Sequence, residues 1–185
     1  MQKVYVFLAT GFEEVEALTV VDILRRGGID CKTVSVMEQK TVTSSHNVTV
    51  EADCLFSEIS GDADMLVLPG GIPGTPNLAA HKGLCDMLQA HNEAGKWLAA
   101  VCAAPTVLGG LGILDGRQAT CFPSKMDELI CGEKKTDSVV VDGNVITSRG
   151  MGTCIDFGLK LLELLDSRET AVKIGKAIVY LEQDA

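Results

Sequence analysis

The 185-residue chain is 46% hydrophobic with only 5 prolines, a composition of compact globular domains that excludes a disordered or fibrous chain. Its formal net charge of -9, with no stripe of Lys and Arg, excludes a nucleic-acid-binding surface, because phosphate neutralisation needs clustered cations. Seven cysteines, an odd number with no CxxC pair and no zinc-like spacing to His, argue against a disulfide framework or a metal site, and most thiols are expected to be reduced.

The opening run MQKVYVFLAT is too short for a membrane span and carries no signal-peptide cleavage pattern. A cytoplasmic protein without membrane contact, forming one domain over residues 1–185, is expected. Apolar runs at 4–9, 31–36, 65–68 and 97–101 have the length and β-branched content of buried strands. Helical patterns between them predict an α/β fold of parallel strands joined by right-handed crossovers.

In chain order, residues 14–26 read as a helix whose apolar face includes Val15, Leu18, Val21 and Leu24, ended by Gly27 and Gly28. Residues 41–51 suggest a polar hairpin. A second helix covers 81–93, with His81 and His91 flanking or lying on its surface, and a third starts at Ala103, where Pro105 fits only in a first turn. An Asp142-Gly143 turn between residues 139–141 and 145–147 predicts a hairpin. Two closing helices are expected over 153–165 and 168–181.

The segment WLAAVCAAPTVL ends a buried strand on Cys102 and starts a helix directly after it. A cysteine on such a turn points out of the sheet beside helix N-terminal amides, which would lower its pKa and expose a thiolate. Most cysteines are instead small buried hydrophobes, so the turn carries the argument. The loop VLPGGIPG follows another strand; alone it is a strand terminator, but beside Cys102 the amides of Gly71 and Ala103 form a candidate oxyanion hole. In GFEEVE, Glu13 and Glu14 suit the dipole of a helix start, while Glu16, flanked by Val15 and Ala17, is a candidate proton donor or acceptor for Cys102.

Taken together, GFEEVEALTVVDILRRGGI, LPGGIPG, AAVCAAPTVL and ITSRGMGT closely resemble the ThiJ/PfpI superfamily, in the branch typified by the human parkinsonism-associated deglycase. That resemblance spans essentially the whole chain. It implies a flavodoxin-like three-layer sandwich, a mostly parallel central sheet with helices on both faces, usually assembled as a homodimer. It places the nucleophile on Cys102, its carboxyl partner on Glu16 and the oxyanion amides on Gly71 and Ala103.

The chain departs from relatives that carry a histidine near the cysteine. Its matching stretch is TCFP, giving Phe122, and Ala103 rather than histidine follows Cys102, which argues against a Cys-His protease or amidotransferase. His46 aligns with an arginine that reaches the partner subunit's site in some relatives; it is an interface candidate or simply a solvated loop residue. Cys121 would lie near the elbow if the TCFP loop covers the site, and is otherwise a packing cysteine.

The resemblance implies a cysteine-dependent enzyme acting on reactive carbonyls without metal or organic cofactor. Its substrate would be a small aldehyde or a glycated molecule, turned over as a glutathione-independent glyoxalase or a deglycase. The alternative is an oxidative-stress sensor or chaperone in which Cys102 becomes a sulfinate stabilised by Glu16. A thiamine-thiazole role carries least weight, since no phosphate-binding loop is present.

Overall fold

The computed structural model describes residues 2–182. In chain order the elements are β1 (Lys3–Leu8), α1 (Glu14–Arg26), β2 (Asp30–Ser35), β3 (Thr41–Thr43), β4 (Thr49–Glu51), β5 (Cys54–Leu55), β6 (Met65–Leu68), α2 (Gly74–Ala80) and α3 (Lys82–Glu93). Then follow β7 (Trp97–Val101), α4 (Pro105–Gly110), β8 (Gln118–Ala119), β9 (Glu133–Lys134), β10 (Val139–Asp142), β11 (Val145–Ser148), α5 (Cys154–Leu165) and α6 (Arg168–Ala177). Seven strands form the central sheet in the order β10-β11-β7-β6-β1-β2-β5. All its neighbours run parallel except the hairpin partner β10.

Period-two alternation along buried strands explains the three layers. Val4, Val6 and Leu8 of β1 join Met65, Val67, Ala99 and Ile146 against α1, α5 and α6. Tyr5 and Phe7 join Leu66, Leu68, Leu98 and Ala100 against α2, α3 and α4. With both faces covered, the strands read as unbroken apolar runs, and this is the mostly parallel α/β sandwich expected. No helix among the described residues is long and apolar enough to cross a membrane.

Four neighbouring parallel strands bring their carboxyl ends to one edge. β1 leads into α1, β6 into Pro69-Gly70-Gly71, β7 into Cys102 and β11 into the turn 149–153. That edge is where open α/β sheets place ligands.

Several expectations shift. Helix α2 escapes sequence reading because Pro73, Gly74 and Pro76 look like turn residues, yet prolines are tolerated in a first turn, where amides lack intrahelical partners. Helix α4 begins at Pro105 rather than Ala103, since Cys102 takes a left-handed backbone and the next residues complete the turn. The last helix stops at Ala177, where the Gly175 carbonyl accepts the amides of Tyr180 and Leu181. Val15 and Leu18 lie outside the core at 41% and 39% exposure, and α1 instead buries Ala17, Val20, Ile23 and Leu24.

His91 corrects the surface assignment of its helix face, being 5% exposed with no hydrogen-bond partner for Nε2. Burial, and then the Lys96 charge, push its pKa from 6.5 down to about 4. Between those values the unfolded chain binds a proton that the folded chain refuses, so stability is full above pH 6.5 and falls as pH drops. The loss amounts to as much as about 3 kcal/mol at the acid end. Thermal melts across this window should therefore steepen downward in the native chain and flatten in His91→Leu; an unchanged pH slope in that variant would remove His91 as the cause.

Candidate active site

Cys102 has φ +63, a left-handed backbone that costs a non-glycine residue about 1–2 kcal/mol. Hydrogen bonds on both sides hold it there. Its amide donates to the Ser148 carbonyl at 3.1 Å, and its carbonyl accepts the Phe122 amide at 2.7 Å. The thiol thus stands out of the sheet at the end of β7, and the Ala103 and Gly71 amides face its sulfur.

Glu16 reaches the same point from the first turn of α1. Glu13 caps that helix, its Oε2 accepting the Glu16 amide at 2.7 Å. The Glu16 side chain is 1% exposed; its Oε2 accepts the Gly70 amide at 2.9 Å, and its carboxyl stands beside the Cys102 thiol, the two lying 2.7 Å and 3.0 Å from where a Gly70 Cβ would be. Only glycine fits at position 70. A Cβ there would stand 2.6 Å from the Cys102 Cβ and 2.7 Å from Glu16 Oε2, well inside van der Waals contact. Gly71, at φ +95, turns its amide toward the sulfur.

Burial pushes the Glu16 carboxyl up to about 7, against the hydrogen bonds that favour its ionised form. Burial, then the Glu16 charge, push the Cys102 thiol up to about 12, while the Ala103 and Gly71 amides pull it back. This corrects the expectation of a lowered thiol pKa: the elbow amides act in the anticipated direction but are outweighed. Above about pH 7 the pair holds one proton, either on sulfur beside a carboxylate or on the carboxyl beside a thiolate. Moving it to Glu16 removes the charge that opposes the thiolate.

The remaining sequence candidates sit around this pair. Phe122 is 43% exposed, with its ring 3.2 Å from where a Gly150 Cβ would lie. Cys121 is fully buried, its thiol directed to the Phe122 carbonyl at 3.4 Å and Met126 Sδ at 3.5 Å, and burial pushes it up to about 11. Its surroundings are those of a packing cysteine. His46, on the β3–β4 turn, has a 68% exposed side chain with Nδ1 3.0 Å from Glu14 Oε1 and 4.0 Å from Glu13 Oε1. These three side chains are close enough to share a cation, with ligand atoms within 4.8 Å of one another, but His46 and Glu14 already satisfy each other.

Histidine chemistry is accounted for elsewhere. His81 accepts the Leu84 amide at the start of α3, and His91 is buried on that helix. Sequence reasoning missed Gly150, Met151 and Cys154, and took Gly70 only as one of two glycines whose backbone can approach a substrate closely. The Met151 amide faces the Glu16 carboxylate, and Cys154, 1% exposed at the start of α5, directs its thiol to the Gly150 carbonyl at 3.3 Å. The segment ITSRGMGT was the available signal, and only its strand portion carried a structural expectation.

Comparison with known proteins follows the same elements. Residues 2–164 match the model of the DJ-1/PfpI family. Protein DJ-1 homolog B of Arabidopsis thaliana is 38% identical over 96% of this chain, which spans only 41% of that relative's length. The glutathione-independent glyoxalase DJR-1.2 of Caenorhabditis elegans is 32% identical, with 90% of this chain and 89% of the relative covered. The structure of an oxidized Toxoplasma gondii DJ-1 superposes with a TM-score of 0.95 at 36% identity, covering 98% of this chain and all of that one. Since the match runs through the Glu16 helix, the glycine loop and the Cys102 elbow alike, the chain belongs to the DJ-1/PfpI family, in its DJ-1 branch.

Proposed function

We propose that the chain is a cysteine-dependent enzyme acting on small reactive carbonyls, with Cys102 as nucleophile and Glu16 as the acid–base group. The observation that carries this is the buried Glu16 carboxyl set beside the Cys102 thiol at Gly70, with the Gly71 and Ala103 amides on the sulfur's side. The name of the nematode relative, a glutathione-independent glyoxalase, supports the same substrate class.

In this reading the proton passes from Cys102 to Glu16 and the thiolate adds to the aldehyde carbon of a 2-oxoaldehyde. The Gly71 and Ala103 amides hold the oxyanion, which takes the proton from Glu16 to give a hemithioacetal. Glu16 then removes the proton from that carbon and returns one to the neighbouring carbon, while the hydroxyl proton passes to the neighbouring oxygen, leaving a 2-hydroxy thioester. Water cleaves the thioester to a 2-hydroxy acid and frees the thiol. The sum is aldehyde plus water to hydroxy acid, an internal redox change that needs no external oxidant or reductant. A glycated amine would enter as its hemiaminal: the C–S bond to Cys102 forms as the C–N bond breaks, the amine leaves with the proton from Glu16, and the same hemithioacetal remains.

A second reading, oxidation sensing with or without chaperoning, is favoured by the same amides. Two peroxide molecules would convert the thiolate to a sulfinate with release of two waters, and the Gly71 and Ala103 N–H groups would hold its oxygens beside a protonated Glu16. The T. gondii structure is described as oxidized.

We also propose a homodimer through α1. Val15, Leu18, Val48 and Val179 are 39–82% exposed and border a groove of about 660 Å³ with Ile155 and Ile178, an apolar face of the kind that stable interfaces cover.

Methylglyoxal should be converted to lactate without glutathione under reducing conditions, and Cys102→Ser and Glu16→Gln should each lose about a hundredfold or more; full turnover by Cys102→Ser would end the nucleophile assignment. Turnover should rise with pH through about 7, as the pair loses its first proton, and Glu16→Gln should move that limb to higher pH. Sedimentation should give a dimer and Leu18→Glu a monomer, whereas a monomeric native chain would rule out the α1 interface.

A further inference from the structure

The turn after β11 is held by a chain of hydroxyls whose direction follows from counting protons. Ser148 Oγ lies 2.7 Å from the Ser138 carbonyl oxygen, and a carbonyl has no proton to give, so the serine donates there. Its single proton is then committed. The 2.7 Å bond between Ser148 Oγ and Thr153 Oγ1 must therefore be donated by Thr153. Thr153 Oγ1 in turn accepts the Gly150 amide at 3.1 Å.

Thr153 has one proton for two oxygens, and it goes to the nearer, Ser148 Oγ at 2.7 Å rather than the Gly150 carbonyl at 3.0 Å. That carbonyl is served by the Thr153 amide at 2.9 Å and the Cys154 thiol at 3.3 Å. The relay thus runs in one direction, from Gly150 through Thr153 and Ser148 to Ser138.

The relay ends against the reacting pair. A Cβ on Gly150 would lie 3.8 Å from Glu16 Oε1 and 3.2 Å from the Phe122 ring, and the next amide, Met151, faces the Glu16 carboxylate. Ser148 is anchored to the other partner, its carbonyl accepting the Cys102 amide at 3.1 Å. One short segment therefore sets both the carboxyl and the elbow.

We propose that Thr153 is a positioning residue: its hydroxyl, oriented by Ser148, fixes the 149–153 turn so that Gly150 and Met151 hold the Glu16 carboxyl at the Cys102 thiol. This rests on Glu16 serving as the acid–base group. Without the hydroxyl the turn loosens, an amide that favours ionised Glu16 drifts away, and the carboxyl's pKa rises while its aim degrades.

Thr153→Val removes the hydroxyl at nearly constant shape, and Thr153→Ser restores it. Iodoacetamide alkylation of Cys102, followed by the mass of its peptide from about pH 5 to about pH 9, reads the pair's first proton loss, with methylglyoxal turnover measured alongside. Thr153→Val should move the alkylation limb upward by about half a pH unit to one unit and lower kcat about tenfold with less change in KM, and Thr153→Ser should recover both.

A folded Thr153→Val with the native limb and kcat overturns the proposal. If that variant does not fold, as judged by circular dichroism, Ser148→Ala is read in the same way, and a native limb there overturns it equally. Glu16→Gln separates the two layers of the argument. A limb unmoved by Glu16→Gln removes the acid–base reading and the positioning role with it, whereas a limb moved by Glu16→Gln but not by the Thr153 and Ser148 variants removes the positioning role alone.

Discussion

One proton held between the buried carboxyl of Glu16 and the thiol of Cys102 is the constraint on which the rest of the site depends. Two ionisable groups placed this deep cannot both be charged, because burial and mutual repulsion oppose it. Their contact requires the backbone at Gly70 to pass where any side chain would collide with both. It also requires α1 to start beside the sheet edge, which the Glu13 cap on the Glu16 amide secures. Glycine loop, helix cap and elbow are thus three conditions of a single contact.

The sheet supplies the frame in which those conditions meet. Strands β11, β7, β6 and β1 are consecutive neighbours, all parallel, so their carboxyl ends form one short row. Each end carries a different part: the hydroxyl-held turn, the cysteine, the glycine amides and the carboxylate helix. An antiparallel pair in the row would place one part at the opposite edge. Apolar packing on both faces, with Val6 and Phe7 at 0% exposure on opposite sides, keeps these ends from shifting relative to one another.

Residues whose role follows from local pattern were legible in the sequence. Buried strands declared themselves by apolar runs, α1 by its periodicity and double-glycine stop, and the Cys102 turn by a strand running directly toward a helix, though that helix starts at Pro105 rather than Ala103. Glu16 and the Gly71 amide were placed near it by the order of the elements and by family resemblance. What depended on tertiary environment was not legible. The burial that raises the Cys102 thiol, the inward turn of His91 and the exposure of Val15 and Leu18 all depend on what packs opposite them. Helix α2 was hidden because its prolines fall in the one turn that tolerates them. The Ser148–Thr153 relay was hidden for another reason: its bonds join side chains to a turn whose shape the sequence does not encode by periodicity.

The absence of a histidine at the thiol then acquires a physical meaning. Phe122 stands where the family resemblance would put an imidazole in some members, and its ring lies against the Gly150 backbone. In the proposed reaction, acid–base work falls to the Glu16 carboxyl. A solvated carboxyl, with a pKa near 4.3, is too acidic to return protons at neutral pH. Burial is what lifts Glu16 to about 7, into the range where it can both take and give. The same burial raises the thiol, so the thiolate can form only by handing its proton to that carboxyl. Burial of this pair is therefore more than a cost to stability: in the proposed reaction it makes ionisation of the thiol and protonation of the carboxyl one event.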